Sequence, residues 1–152
     1  MKTLLLIVGA VFTLGGCQPT ETVVPVPPEQ LVGEWRLVEP ASAYNVTLRF
    51  SEQSAIMAGF AYFRLSGQAP VNGYGAQANF SKGPSIESGP LGSGNIWDIT
   101  STMIAGSPEA SQVEQTYFSN LRLVNRYEQT SRNRLRLYYE GAQPGVLVYE
   151  KQ

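Results

Sequence analysis

The stretch Gly33-Glu34-Trp35-Arg36-Leu37-Val38 alternates apolar and polar side chains with a period of two. In an extended strand successive side chains point to opposite faces, so Trp35 and Leu37 share one face while Glu34 and Arg36 share the other. The stretch therefore predicts a β-strand that is buried on one side and solvated on the other.

The same period of two continues along the chain. Residues 44–50 alternate, and residues 55–65 form an apolar, aromatic run that is either one bent strand or a hairpin around Gly59. Asn72-Gly73 predicts a tight turn, because both residues tolerate positive φ. Residues 82–95 are rich in Gly, Ser and Pro, which predicts a long loop.

Three further strands are predicted in the last third of the chain, over residues 123–128, 134–140 and 146–150. The residues between them, 129–131 and 141–145, are typical of hairpin connections. The sequence therefore predicts that these strands pair with one another in an antiparallel arrangement.

One segment has a helical pattern instead. Ser107 is a suitable N-cap, Pro108 suits the first helical position, and Glu109 favours the positive end of the helix dipole. Apolar residues then recur at helical spacing, namely Val113, Tyr117, Phe118 and Leu121. We predict one amphipathic helix from about Pro108 to Leu121.

Together these patterns predict an α+β fold, a mostly antiparallel β meander or partial barrel with one amphipathic helix. Helices do not alternate with the strands, so a parallel nucleotide-binding sheet is not expected. The length of 152 residues fits one domain with short appendages.

The composition excludes several classes of function. The sequence has no histidine and one cysteine, which removes the usual general base and sulfur–imidazole zinc sites. With a net charge of −1, no general attraction to nucleic acid is expected. We therefore expect no metal, no cofactor and no nucleic-acid partner.

The first residues resemble a bacterial lipoprotein signal. Lys2 precedes an apolar stretch over residues 4–14, which is shorter than the roughly 20 residues of a membrane-spanning helix. Leu14-Gly15-Gly16-Cys17 then resembles a lipobox. The alternatives are an ordinary signal peptide with a chance cysteine, or an uncleaved anchor.

The lipobox resemblance implies lipid attachment at Cys17. Gln18, as a sorting residue other than aspartate, implies the outer membrane, facing the periplasm. The prolines that follow predict an extended tether, and a proline-rich ligand for a partner is the alternative. The expected organisation is a signal peptide over residues 1–16, a lipidated cysteine and tether over residues 17–30, and one domain over residues 31–152.

The domain resembles the META domain family, which includes HslJ-like heat-shock lipoproteins. The resemblance begins with Leu31 to Leu37, which is similar to the family's L-x-G-x-W-x-L. It continues through Leu65-Ser66-Gly67 and Val71-Asn72-Gly73-Tyr74, near the family's S-G-x-x-G-C-N. Thr102 to Gly106 then lies where the family has T-x-M-A-C, before the helix and a closing apolar strand.

The chain departs from the family at two positions. Members often carry cysteines where this chain has Val71 and Gly106. The joint absence fits the loss of a paired feature, and no function resting on those thiols is carried over.

The resemblance implies a non-enzymatic envelope protein linked to stress or antibiotic tolerance. A similar fold in secretion-system pilot lipoproteins implies, as an alternative, a carrier that binds a protein segment.

Catalytic candidates are few in this sequence. Asp98 is the only aspartate and is interpreted as a surface carboxylate, and no spacing of glutamates suggests a glycosidase pair. Ser66 and Ser101 have no histidine to activate them. We therefore expect no enzymatic activity.

A stripe of arginines, Arg132, Arg134 and Arg136, is the most distinctive charged feature. Alternate residues of a strand point the same way, so the stripe is a candidate contact for anionic lipid headgroups or an acidic partner. A solvated sheet face is the other interpretation.

Aromatic residues such as Tyr44 and Phe63 either line a ligand pocket or belong to the core. The sequence does not determine the oligomeric state.

Overall fold

The computed structural model describes residues 28–51, 56–57, 59–81 and 91–152. The predicted signal peptide, Cys17, Gln18 and most of the predicted tether lie outside these residues. The described chain begins with a short 3-10 helix, Pro28–Leu31, that leads into the first strand.

Along the described residues the chain forms nine strands and one α-helix. The helix, α1, spans Pro108–Arg122. The strands are β1 (Gly33–Glu39), β2 (Thr47–Phe50), β3 (Ile56–Met57), β4 (Phe60–Gln68), β5 (Gly73–Ser81), β6 (Gly92–Ser101), β7 (Val124–Ser131), β8 (Arg134–Tyr139) and β9 (Gly145–Lys151).

The strands form one antiparallel sheet in the order β2-β1-β9-β8-β7-β6-β5-β4-β3. Two pairs, Arg49 with Ser66 and Phe50 with Leu65, join β2 to β4 and close the sheet into a barrel of eight strands. The short strand β3 adds to β4 as a hairpin around Gly59, whose φ is +84°. The predicted α+β class is confirmed, and the meander is closed.

The barrel interior holds the apolar face that the period of two predicted. Trp35, Leu48, Leu135 and Leu137 have no exposed surface. Near one end, the aromatic rings of Phe50, Phe63, Phe80 and Tyr127 pack with centroid separations of 4.9–6.1 Å, mostly edge to face. This geometry suits the quadrupoles of the rings and adds to the burial of apolar area.

The two ends of the barrel differ. At the end where the described chain begins, Leu31 is fully buried and its carbonyl accepts a hydrogen bond of 2.8 Å from Trp35 Nε1. Lys151 Nζ donates to the Gln30 carbonyl at 3.0 Å and lies over the Trp35 ring. We call this end the base. The opposite end, which α1 covers, is called the helix end.

The signals at the helix start are confirmed. Ser107 is the N-cap, and its hydroxyl accepts from Ala110 N at 3.2 Å, while Pro108 occupies the first turn. The helix ends at Arg122, within one residue of the prediction. Its buried face is formed by Ala110, Glu114, Tyr117, Phe118 and Leu121.

Two predicted connections are wrong in extent. Residues 92–95 of the predicted loop 82–95 belong to β6. Residues 82–90 of that prediction lie outside the described residues. A Cβ at Gly94 would lie 2.6 Å from the Phe80 ring. Glycine is therefore needed at this strand position to leave room for the ring, and it does not form a turn. Residues 129–131, predicted as a connection, belong to β7, and Gln129 is buried. The connection follows at Arg132.

The turn predicted at Asn72-Gly73 exists, but for a different reason. Ala69 N donates to the Asn72 carbonyl at 2.8 Å, and β5 starts at Gly73. Neither residue has positive φ. Among the described residues, positive φ occurs at Asp98 and at three glycines other than Gly73, namely Gly33, Gly59 and Gly141. The asparagine is used for its side chain, which is buried in the contacts described next.

Candidate functional site

Three tyrosines form a hydrogen-bonded chain inside the helix end. Tyr117 OH lies 2.7 Å from Tyr74 OH and 3.1 Å from Tyr149 OH, and Tyr74 OH donates to the Thr47 carbonyl at 2.9 Å. A phenol has one proton to donate. Because Tyr74 gives its proton to Thr47, Tyr117 donates to Tyr74, and Tyr149 donates to Tyr117.

This chain stays protonated. Desolvation by burial is the largest cause that raises the pKa of Tyr117, which lies at about 12, although the bond that Tyr117 accepts from Tyr149 lowers it. Burial, first, and the neighbouring tyrosines raise the pKa values of Tyr74 and Tyr149 well above the usual value. None of the three can act as a general base near neutral pH. Their role is to hold α1 on the barrel.

A second polar cluster lies where α1 meets the connection between β4 and β5. The Glu114 side chain is 8% exposed. Its Oε2 accepts from Val71 N at 2.9 Å and from Asn72 N at 2.7 Å, and its Oε1 accepts from Asn72 Nδ2 at 2.7 Å. A buried carboxylate is stable only when such donors replace its water.

The pKa of Glu114 reflects these contacts. Desolvation raises it, but the hydrogen bonds from the Asn72 side chain and from the backbone of Asn72 and Val71 lower it further, so the net pKa is below the usual value. The carboxylate is therefore ionised at neutral pH. A saturated, ionised carboxylate of this kind is a structural anchor and not a proton donor.

Asn72 also fixes the connection between β6 and α1. Its Oδ1 accepts from Thr102 Oγ1 and from Ile104 N, each at 2.8 Å. The backbone of Ile104 is thereby held while its side chain is 62% exposed, and the neighbouring Met103 is fully exposed. The helix end thus presents a fixed apolar tip to the solvent.

The two positions at which the family often has cysteines are adjacent. A Cβ built on Gly106 would lie 3.3 Å from Val71 Cβ and would overlap Val71 Cγ2. The Cβ atoms of a disulfide are usually about 3.5–4.5 Å apart. The structure therefore places next to each other the two positions, Val71 and Gly106, whose cysteines the sequence suggested were lost together. The valine side chain fills the space beside the glycine.

An apolar groove of about 380 Å³ lies between α1 and the connection from β1 to β2. Its walls include Leu37, Tyr44, Val46, Val113 and Leu147, and Tyr117 contributes to the lining. Val113, predicted for the buried helix face, is instead 38% exposed here. Tyr44, predicted as either core or pocket, is half-buried and lines this groove.

The arginine stripe is only partly on a strand. Arg134 and Arg136 share the outer face of β8, whereas Arg132 lies exposed in the turn before it. Arg134 lies 2.8 Å from a carboxylate oxygen of Glu39, and Arg136 lies 3.5 Å from Glu128. These ion pairs offset part of the positive charge. Contact with an anionic ligand stays a prediction.

The other candidates do not form one cluster. Asp98 is exposed in a bulge of β6 with φ of +51°, whereas Ser66 on β4 and Ser101 at the end of β6 both border one surface groove. Within the described ranges no cluster of three or more potential metal ligands occurs. In the same part of the chain, no helix has the length and apolar content needed to cross a membrane.

Sequence reasoning missed Glu114 and the tyrosine chain. Glu114 is spaced by four residues from Ala110 and by three and four from Tyr117 and Phe118, so its place on the apolar helix face was visible. The tyrosines are distant in sequence, and no local signal links them.

The described residues form a small closed antiparallel barrel that is covered at one end by a single helix. Its candidate sites are surface grooves. The chain belongs to the META domain family, whose model matches residues 29–152. Comparisons with curated proteins and with solved structures found no match.

We predict that Glu114→Gln lowers the free energy of unfolding by about 1–3 kcal/mol at pH 7, because an amide NH₂ would face the Asn72 amide. The folded-state pKa of Glu114 is lowered, so its stabilisation is present above the usual pKa and is lost as pH falls through the lowered value. Urea unfolding measured from pH 7 to pH 3 should therefore show that the difference in the free energy of unfolding between the wild type and Glu114→Gln becomes smaller as the pH falls.

The matched control is Glu109→Gln, an exposed change in the first turn of the same helix. It should cost about 0.5 kcal/mol through the helix dipole. Equal losses for the two variants, or a Glu114→Gln difference that grows in acid, would contradict the role assigned to the carboxylate.

We also predict that Val71→Cys combined with Gly106→Cys forms a disulfide on oxidation, in a background where Cys17 is serine. Mass spectrometry should show the loss of two hydrogens. The bridge should stabilise the oxidised protein by about 2–4 kcal/mol relative to the reduced form. Gly106→Cys alone should destabilise, because its side chain would overlap Val71. Free thiols in the double variant would refute the adjacency.

Proposed function

We propose that the chain is an outer-membrane lipoprotein, anchored through Cys17, whose META domain acts by binding in the periplasm. Its role is non-enzymatic and belongs to envelope stress or antibiotic tolerance. The lipobox-like residues and Gln18 support the anchor and its sorting, and family membership supports the envelope role.

The position of the N-terminal attachment carries this proposal. The described chain enters the barrel at its base, around Leu31, while α1 and the apolar groove lie at the helix end. Residues 18–27, which precede the 3-10 helix, would span about 30 Å if they take the extended form that their prolines predict. A lipid on Cys17 would therefore attach the domain at its base, the end opposite the apolar groove and the Met103–Ile104 tip.

A binding role without catalysis is supported by the state of the titratable groups. The sequence has no histidine. The three buried tyrosines have raised pKa values, and the Glu114 carboxylate is occupied by hydrogen bonds from the protein itself. These groups build the fold and are not free for proton transfer with a substrate.

The apolar groove favours a second candidate function, a pilot-like carrier that binds a segment of a secretion-system or other envelope protein. The groove volume of about 380 Å³ is within the usual range for ligand sites. An amphipathic helix with a few apolar anchors is one recurring occupant of such grooves. Val113, on an exposed part of α1, provides one wall.

For the anchor, we predict that Cys17→Ala abolishes incorporation of radiolabelled palmitate and releases the protein from the outer-membrane fraction of a Gram-negative host. Several acyl chains are needed for stable anchoring, so loss of the acceptor removes it. The matched variant Gln18→Asp should keep the label but move the protein to the inner-membrane fraction. Label retained by Cys17→Ala would refute the anchor.

For the carrier function, we predict that Val113→Lys weakens saturable binding of a single envelope protein to the immobilised full chain by at least about tenfold. The cause is a charge placed in the apolar groove. Val32→Lys is the control, since Val32 is similarly exposed but lies at the base. Equal binding by Val113→Lys and the wild type would rule out the groove as the docking site.

A further inference from the structure

A second, polar groove lies on the outer face of the barrel, away from the apolar groove. It has a volume of about 720 Å³ and crosses β2, β4, β5 and β6 where they approach the helix end. Its lining includes Arg49, Ser66, Gly73, Gly75, Thr100 and Ser101.

The groove exists because two strand residues have no side chain. Gly75 faces outward between Ser66 on β4 and Thr100 on β6, its register partners. Gly73 pairs with Gln68 at the start of the same strand. With side chains at these positions, the sheet surface would be filled.

The fold does not require glycine at either position. A Cβ on Gly75 would lie 3.7 Å from Thr100 Oγ1, and a Cβ on Gly73 would have no neighbour closer than 3.9 Å, which are ordinary contacts. By contrast, a Cβ on Gly67 would overlap the Thr47 carbonyl oxygen. Glycine weakens a strand interior and often marks the close approach of a ligand.

The lining is polar and close to neutral. Ser66 and Thr100 bring hydroxyl groups, which both donate and accept hydrogen bonds. The two charged residues of the lining, Arg49 and Glu34, are register partners on β2 and β1, so their charges offset each other. Such a surface suits a ligand with many hydroxyl or amide groups and no net charge.

An aromatic ring lies in the next row of side chains on the same face. Gln77, two residues after Gly75, pairs with Trp97, which is half-buried. Tyr62 packs edge-on against Trp97 with centroids 6.5 Å apart, and Gln77 Nε2 donates to Asp98 Oδ2 at 3.3 Å. A partly exposed indole provides a flat apolar surface with polar groups around it.

We propose that this groove, with Trp97 at its edge, binds an uncharged glycan chain. A pyranose ring has an apolar face that can lie on the indole and hydroxyls that can pair with Ser66 and Thr100. The absence of side chains at Gly73 and Gly75 leaves the depth for the sugar rings. The site is separate from the apolar groove, so it adds a ligand class to the proposed function.

The test uses the full chain in a detergent without a sugar headgroup, titrated with chitotetraose and with cellotetraose. NMR follows the indole N–H signals of the two tryptophans. We expect one or both sugars to shift the Trp97 signal saturably. The signal of Trp35, which is fully buried, should stay unchanged.

Gly75→Thr is the decisive variant. Threonine suits a strand, and its Cβ fits, so the melting temperature should be equal or higher, while glycan affinity should fall at least tenfold. Ser131→Thr, an exposed change on β7, is the matched control and should bind as the wild type does. Ser66→Ala, which removes one hydroxyl from the groove, should lower affinity about two- to tenfold, and its effect does not depend on the fit of a new side chain.

Three results would overturn the proposal. The first is that neither sugar shifts the Trp97 signal at millimolar concentration. The second is that both Gly75→Thr and Ser66→Ala keep the wild-type affinity. The third is that only an extended peptide or phosphate shifts the signal saturably. The first two exclude the site, and the third assigns it to another class of ligand.

Discussion

The carboxylate of Glu114 connects three segments that are far apart in sequence. It accepts three hydrogen bonds from Val71 and Asn72, and the Asn72 side chain in turn holds the Ile104 backbone. Helix, turn and connection are therefore positioned together. A buried carboxylate left without these donors would cost more than the bonds contribute, so the arrangement is nearly all-or-none.

The remaining features of the helix end depend on that position. With α1 in place, Tyr117 reaches Tyr74 and Tyr149 inside the barrel, and Val113 faces the connection from β1 to β2. The helix closes one end of the core and forms one wall of the apolar groove. The polar groove depends mainly on the barrel, because its floor is made by Gly73 and Gly75 of one strand, although Thr102 of the connection to α1 also lines it.

Local patterns predicted much of the fold. The period of two located most strands, and the residues Ser107, Pro108 and Glu109 located the helix start. The predictions were wrong where small or polar residues serve packing. Gly94 was assigned to a loop but leaves room for the Phe80 ring, and Gln129 was assigned to a connection but is buried in β7. In both cases the deciding neighbour is on another strand.

By itself the sequence determined most of the elements, the α+β class and the absence of histidine chemistry, because period, capping and composition act within a few residues or over the whole chain. It also carried the family resemblance. It did not predict β5 or β6 as strands. Tertiary structure decided the closure of β2 onto β4, the partners of Glu114, the adjacency of Val71 and Gly106, and both grooves. These depend on strand register and chain closure, which bring together residues whose separation in sequence gives no local signal.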